Sequence, residues 1–245
     1  MIYGAGTSRS GAMTLATYLN DAGLDVGYEA TSRQGRYYGV DSDAVKQAYR
    51  NLGKGDISYL TAMAFDEIME VDSDARFIHY VRHPYDVVTS LIAHGTEPVE
   101  QAPDSSEPTV KVTAWTPQTG LWHGYGGSSV GVVSMLLRLR NRCWPDVVFN
   151  KDDSLIQQVA WYWRMVHERI LEFTEQLDAD RHIRVYIEEC ETDYPMLLDW
   201  LGSNARPKIQ HLNKRPYSKF PLSGQGKSQI VGIAGKLMLT FGYDT

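Results

Sequence analysis

Two clusters of residues have the types and spacing to hold anions. The first is Gly4-Ala5-Gly6-Thr7-Ser8-Arg9-Ser10-Gly11, with Ala12, Met13 and Thr14 behind it. A glycine-rich turn opening a helix aims backbone N–H groups and the helix dipole at one spot, which makes an anion site. Ser8, Ser10 and Thr14 add hydroxyls, and Arg9 adds a cationic fork. The second cluster is Arg82-His83-Pro84-Tyr85-Asp86-Val87-Val88-Thr89-Ser90. A strand ending at Arg82 would deliver it to the carboxyl edge of a sheet, where open α/β folds bind ligands. Ser90 would follow two turns into the next helix, so a phosphate held there would be distinct from the one on the first loop.

Each cluster has a plainer reading. The first serves equally as an ordinary glycine-rich turn. The second serves as an Arg82–Asp86 pair with Ser90 facing solvent. The first loop lacks G-x-x-x-x-G-K-[ST], and Gly226-Lys227-Ser228 fails the same pattern because Pro221 stands where the first glycine belongs. Gly11 comes two places too late for a dinucleotide G-x-G-x-x-G.

Elements able to position these clusters are legible around them. Met1-Ile2-Tyr3 precedes the loop, and Met13, Leu15, Leu19 and Ala22 follow in a helical pattern that Gly23 stops. Leu24–Tyr28 reads as a short strand, and so does Phe77–Val81. Pro84 and Asp86 suit the first turn of a helix carrying Val87, Val88, Leu91 and Ile92 inward. A helix capped by Ser154 runs to about Leu177 with Leu155, Val159, Trp163, Val166 and Ile170 in register. A strand over Ile183–Ile187 follows, then a helix through Pro195–Trp200 ending at Gly202. This alternation predicts an α/β fold: a single domain over residues 1–245, with a central parallel sheet flanked by helices. Residues 95–150 break the rhythm as an insertion rich in Pro, Ser, Thr and Gly, the length of an acceptor-binding lid. Within it, Val132–Arg142 reads as a helix, and Trp115–Gly127 offers aromatic residues to a sugar or aromatic ligand.

Bulk properties narrow the partners. The chain has 245 residues, 43% hydrophobic and 22% charged, with a formal charge of −6. That is globular usage, and it excludes a nucleic-acid binder working by bulk charge. Two cysteines, Cys143 and Cys190, have no metal-ligand spacing, and the count fits a reducing, cytoplasmic compartment. No apolar run approaches the roughly 20 residues of a membrane span. No cluster of carboxylates or histidines demands a metal.

Taken together, R-S-G after the first strand and R-x-P-x-D-x-x-x-S after a later one resemble the PAPS-dependent sulfotransferases. (PAPS is 3′-phosphoadenosine 5′-phosphosulfate; PAP is the bisphosphate product.) The resemblance implies a P-loop-like loop in which Thr7, Ser8, Arg9, Ser10, Gly11, Ala12, Met13 and Thr14 hold the 5′-phosphosulfate. It implies that Arg82 and Ser90 hold the 3′-phosphate, and that Arg215, in the basic run Asn213-Lys214-Arg215-Pro216, closes over the nucleotide with Lys219 and Lys227. The second motif matches at every fixed position. The first departs from the usual S-G-T-T, since Ala12-Met13 follows Ser10-Gly11 and two hydroxyls are missing. Fainter echoes are the Trp161–Trp163 helix and Gly242-Tyr243-Asp244. The tyrosylprotein sulfotransferases place a G-x-E with a catalytic glutamate near this distance after R-S-G, and Gly27-Tyr28-Glu29 is similar with one residue's difference. Glu29 is thus the expected base and Arg9 the expected charge stabiliser. His94 and His123 are rival bases, while His79 and His167 read as structural. The implied reaction moves a sulfuryl group from PAPS to a hydroxyl-bearing acceptor: glycan, lipid, peptide or small molecule. The alternatives are a kinase-like nucleotide transferase and a non-catalytic nucleotide-binding protein of the same fold.

Overall fold

The computed structural model describes residues 1–33, 42–96, 114–116, 121–123, 154–210 and 221–245. Arg215, Lys219, the 132–142 segment and most of the insertion lie outside the described residues, as do the side chains of His94 and His123. The chain divides into two compact units, Met1–His83 with Trp163–Pro216, and Pro84–Tyr162 with Tyr217–Thr245.

The first unit holds a five-stranded, all-parallel sheet. Its strands are β1 (Ile2–Ala5), β2 (Val26–Tyr28), β3 (Gly55–Ile57), β4 (Arg76–Val81) and β7 (His182–Tyr186). Their order is β2-β3-β1-β4-β7, so after β1 the chain goes to the edge at β2, returns inward to β3, and then crosses to the other side of β1 for β4 and β7. Tyr3 pairs with Asp56 on one flank and Phe77 on the other, which makes β1 the central strand. Because every strand runs the same way, all five carboxyl ends share one edge.

Alternation along the strands divides the core in two. On one face, Ile78, Tyr80 and Val185 meet Leu15 and Leu19 of α1 (Ala12–Asp21) and Tyr194, Leu197 and Leu198 of α7 (Cys190–Trp200). On the other, Tyr3 and Phe77 meet Tyr49 of α3 (Ser42–Leu52), Phe65 of α4 (Phe65–Val71) and Phe173 of α6 (Leu155–Thr174). Phe65 and Phe173 stack with ring centroids 3.9 Å apart. The four-residue α2 (Ala30–Arg33) follows β2 directly. The predicted elements that fall among the described residues are present with small shifts: the first strand is Ile2–Ala5 rather than Met1–Tyr3, the second strand and the long helix are shorter than expected, and the last strand ends at Tyr186.

The second unit contains α5 (Pro84–Thr96), α8 (Gly224–Thr240) and the start of α6. Val87, Val88, Leu91 and Ile92 of α5 are buried as their spacing predicts. Ser154 caps α6, with its hydroxyl accepting from the Gln157 amide at 3.3 Å while Gln157 accepts from the Ser154 amide at 2.8 Å. Within the insertion, β5 (Ala114–Thr116) and β6 (Leu121–His123) form an antiparallel pair. Among the described residues no helix is long and apolar enough to cross a membrane.

Candidate active site

The carboxyl edge of the first unit's sheet gathers the loop after β1, Glu29 after β2, Arg82 after β4 and Ile187-Glu188 after β7. The β1 loop is tight because its neighbours leave no room for anything wider. A Cβ on Gly6 would fall 2.4 Å from the ring and carbonyl oxygen of Tyr80, so only glycine lets the chain cross β4 so closely. The Ser10 amide then donates to the Thr7 carbonyl at 3.3 Å. The Thr7 and Ser10 hydroxyls bond each other, and both residues are fully buried. Ser10 therefore serves the loop internally in this conformation. Ser8, Arg9, Ala12 and Met13 are partly exposed, and Thr14 is buried in the first turn of α1.

Two residues of the loop adopt the left-handed conformation, Arg9 at φ 67° and Gly11 at φ 82°. For Arg9 this costs on the order of 1 kcal/mol. Gly11 pays little, and its lack of a side chain lets Ile187 pack against it, since a Cβ there would lie 2.9 Å from Ile187 Cγ2. Gly11 is also the N-cap of α1, where no side chain caps the helix and no acidic residue stands in the first turn. An anion is the natural complement of such a helix start.

Arg82 closes this arrangement. Its Nη1 donates to the carbonyl of Arg9 at 2.9 Å, joining two motifs 73 residues apart. The sequence expectations for Arg82, a ligand or a pair with Asp86, did not include this contact with the first loop. The Arg82 carbonyl in turn accepts from Trp163 Nε1 at 2.9 Å. The next amide, His83 N, donates to Glu188 Oε1 at 2.7 Å, and the Ile187 amide donates to the Val81 carbonyl at 3.0 Å. Trp163, Ile187 and Glu188 are thus supports the sequence did not announce. Trp163 showed helical register and a faint echo of the resemblance but no tie to Arg82, and the other two lie at the end of a short strand.

Glu29 stands on the same edge, two strands from β1, roughly 10 Å away at the usual ~4.8 Å strand spacing. It is partly buried, and its φ of 47° is unusual for a side chain of this size. Its amide donates to the Ile57 carbonyl at 3.1 Å. Backbone strain of this kind collects at functional sites. Asp56, another residue the sequence left silent, is fully buried in β3 beside this turn.

In the second unit, Ser90 is partly exposed in the second turn of α5, and Lys227 in the first turn of α8 lies over the Tyr85 ring at 5.5 Å. His79 and His167, expected as separate structural residues, bond each other at 2.8 Å in the buried core of the first unit.

Neither protein-family models nor curated proteins match the sequence. Solved structures do match the fold. The sulfotransferase domain from the curacin biosynthetic pathway aligns over 100% of this chain and 98% of its own, with TM-score 0.52 and 14% identity. The sulfotransferase domain of the Synechococcus PCC 7002 olefin synthase aligns over 100% and 95%, with TM-score 0.53 and 14% identity. A sulfotransferase from Alicyclobacillus acidocaldarius aligns over 100% and 96%, with TM-score 0.53 and 13% identity. The fold is therefore the P-loop-like α/β fold of the sulfotransferases.

Proposed function

We propose that this protein is a sulfotransferase that moves a sulfuryl group from PAPS to an acceptor hydroxyl and releases PAP. The observation carrying the reading is the Arg82–Arg9 contact, which brings the two resembling motifs to one sheet edge. The β1 loop, Thr7 to Thr14, would receive the 5′-phosphosulfate on backbone N–H groups and the α1 start. Arg82 and Ser90 would bind the 3′-phosphate, with Arg215 closing over the nucleotide. Glu29 would take the acceptor's proton as its oxygen attacks sulfur in line, forming the new S–O bond as the bond to the phosphate oxygen breaks. Arg9 and the loop amides would stabilise the charge growing on the departing 5′-phosphate. The cytoplasmic placement drawn from the cysteine count belongs to the same reading.

Calorimetry tests the donor assignment. PAP is expected to bind about thirtyfold more tightly than AMP, the worth of roughly 2 kcal/mol for a charge-assisted phosphate contact. Arg82→Ala is expected to erase most of that difference. Equal affinity of the wild-type chain for PAP and AMP would overturn the 3′-phosphate site.

A further inference from the structure

Asp56 is a fully buried carboxylate on β3, the strand between β2 and β1. Burying a charge is costly unless it is fully hydrogen-bonded, and an apolar residue would fill the position more cheaply. Among the described residues, its bonds go to one place. It accepts from the Ala30 amide at 3.0 Å, the Thr31 amide at 3.2 Å and the Thr31 hydroxyl at 2.6 Å. These are the two residues directly after Glu29. On the preceding side, the Glu29 amide is tied to the Ile57 carbonyl, the residue after Asp56. The left-handed turn at Glu29 is thus held from both ends by two adjacent residues of β3.

Gly27 belongs to the same device. A Cβ there would fall 2.9 Å from Asp56 Oδ1 and 2.7 Å from the Ala30 Cβ. The spacing Gly27-Tyr28-Glu29 therefore has a mechanical content. Glycine clears the space through which Asp56 reaches the backbone beyond the glutamate. All three bonds reach Ala30 and Thr31, where the turn at Glu29 passes into α2.

We infer that Asp56 is the positioning residue for Glu29, setting through the Ala30-Thr31 backbone the direction in which the Glu29 side chain leaves the sheet edge. This rests on the reading of Glu29 as the base. Letting φ at Glu29 relax to the extended region would swing its Cα–Cβ bond away, and a base misplaced by about an ångström loses up to ~10²-fold in rate.

The experiment measures PAP release from PAPS by the full chain, with 2-naphthol and with water as acceptor probes, for Glu29→Gln, Asp56→Asn, Thr31→Val and the Glu29→Gln/Asp56→Asn double variant. Asp56→Asn is expected to lower kcat by about 10- to 100-fold, with the KM for PAPS and the Kd for PAP within about threefold of wild type. Adding it to Glu29→Gln is expected to change nothing further, whereas a merely structural role would lower both backgrounds alike. Hydrogen exchange needs no acceptor. The Ala30 and Thr31 amides are expected to lose protection in Asp56→Asn, while those of β1 keep it. Full kcat in Asp56→Asn alongside a dead Glu29→Gln overturns the positioning role and leaves the base standing. Wild-type turnover in Glu29→Gln overturns the base instead. Should Asp56→Asn fail to fold, Thr31→Val decides: unchanged Ala30 protection and unchanged kcat overturn the inference.

Discussion

Arg82 is gripped at both of its ends. Its carbonyl is held by the Trp163 indole, and its guanidinium holds the carbonyl of the strained Arg9. Trp163→Phe keeps the ring in its buried slot but leaves that carbonyl without the indole donor. A loss of about 1–3 kcal/mol in stability is expected, with PAP affinity falling severalfold as Arg82 loosens; denaturant melts and calorimetry read the two effects. Glu29 carries the sharper claim. Glu29→Gln is expected to lower turnover by about 10²- to 10⁴-fold while PAP binding persists. A dead His94→Ala or His123→Ala beside an active Glu29→Gln would move the base elsewhere. Arg82 and Glu29 were legible in the sequence because each follows a strand within a recognisable spacing. Asp56 was not, since Gly55-Asp56-Ile57 is too short to announce a strand or its burial between β1 and β2. His79 and His167 each showed a structural register, but nothing in either segment revealed that they pair.

At the level of elements, the β1 loop is shaped by its neighbours as much as by its own residues. Gly6→Ala forces a Cβ into the Tyr80 ring and backbone. An expected cost of about 1–3 kcal/mol should come with at least tenfold weaker PAP binding, because the loop amides move. Gly23→Ala is the control: its φ is 84° with nothing within 4 Å, so strain of about 1 kcal/mol should leave binding untouched. Thermal melts and calorimetry on both variants separate loop geometry from general destabilisation. Long periodic segments such as α1 and α6 were readable from apolar spacing, as was β4 from its β-rich run. Three-residue β3 has too few positions to show a period. The helix α8 hides behind Gly224, Gly226, Gly232 and Gly235, which lower its helical propensity although Ser223 caps it through the Gly226 amide at 3.1 Å. The helix α3 did carry a signal in Val45, Ala48 and Tyr49, all buried on one face.

For the molecule as a whole, the buried histidine pair sets a pH dependence. Burial first, then His167, holds His79 well below the usual imidazole range; burial and then Arg184 push His167 down to about 3. Both are neutral in the folded protein, while the unfolded chain protonates each near pH ~6.5. Between those values the unfolded state binds more protons, so stability is full above pH ~6.5 and falls as pH drops toward 3. The slope approaches about 1.4 kcal/mol per pH unit for each histidine. Denaturant titrations from pH 7 to pH 4.5 should show it, and His167→Gln should flatten it by roughly one histidine's share. An identical slope in the variant would place the acid sensitivity elsewhere.

The β4–β7 pairing also has a consequence in time. Ile187 closes on Gly11, and Glu188 bonds the His83 amide across 105 residues of chain. Closing so long a stretch is entropically slow, and contacts of this separation delay folding. As the chain leaves the ribosome, β1 to β4 and α5 emerge with both candidate motifs complete in sequence, yet the strand that braces the first of them has still to be made. The loop is therefore expected to take its final shape late, when the last strand docks, so that until then the growing chain would carry the motifs without that brace.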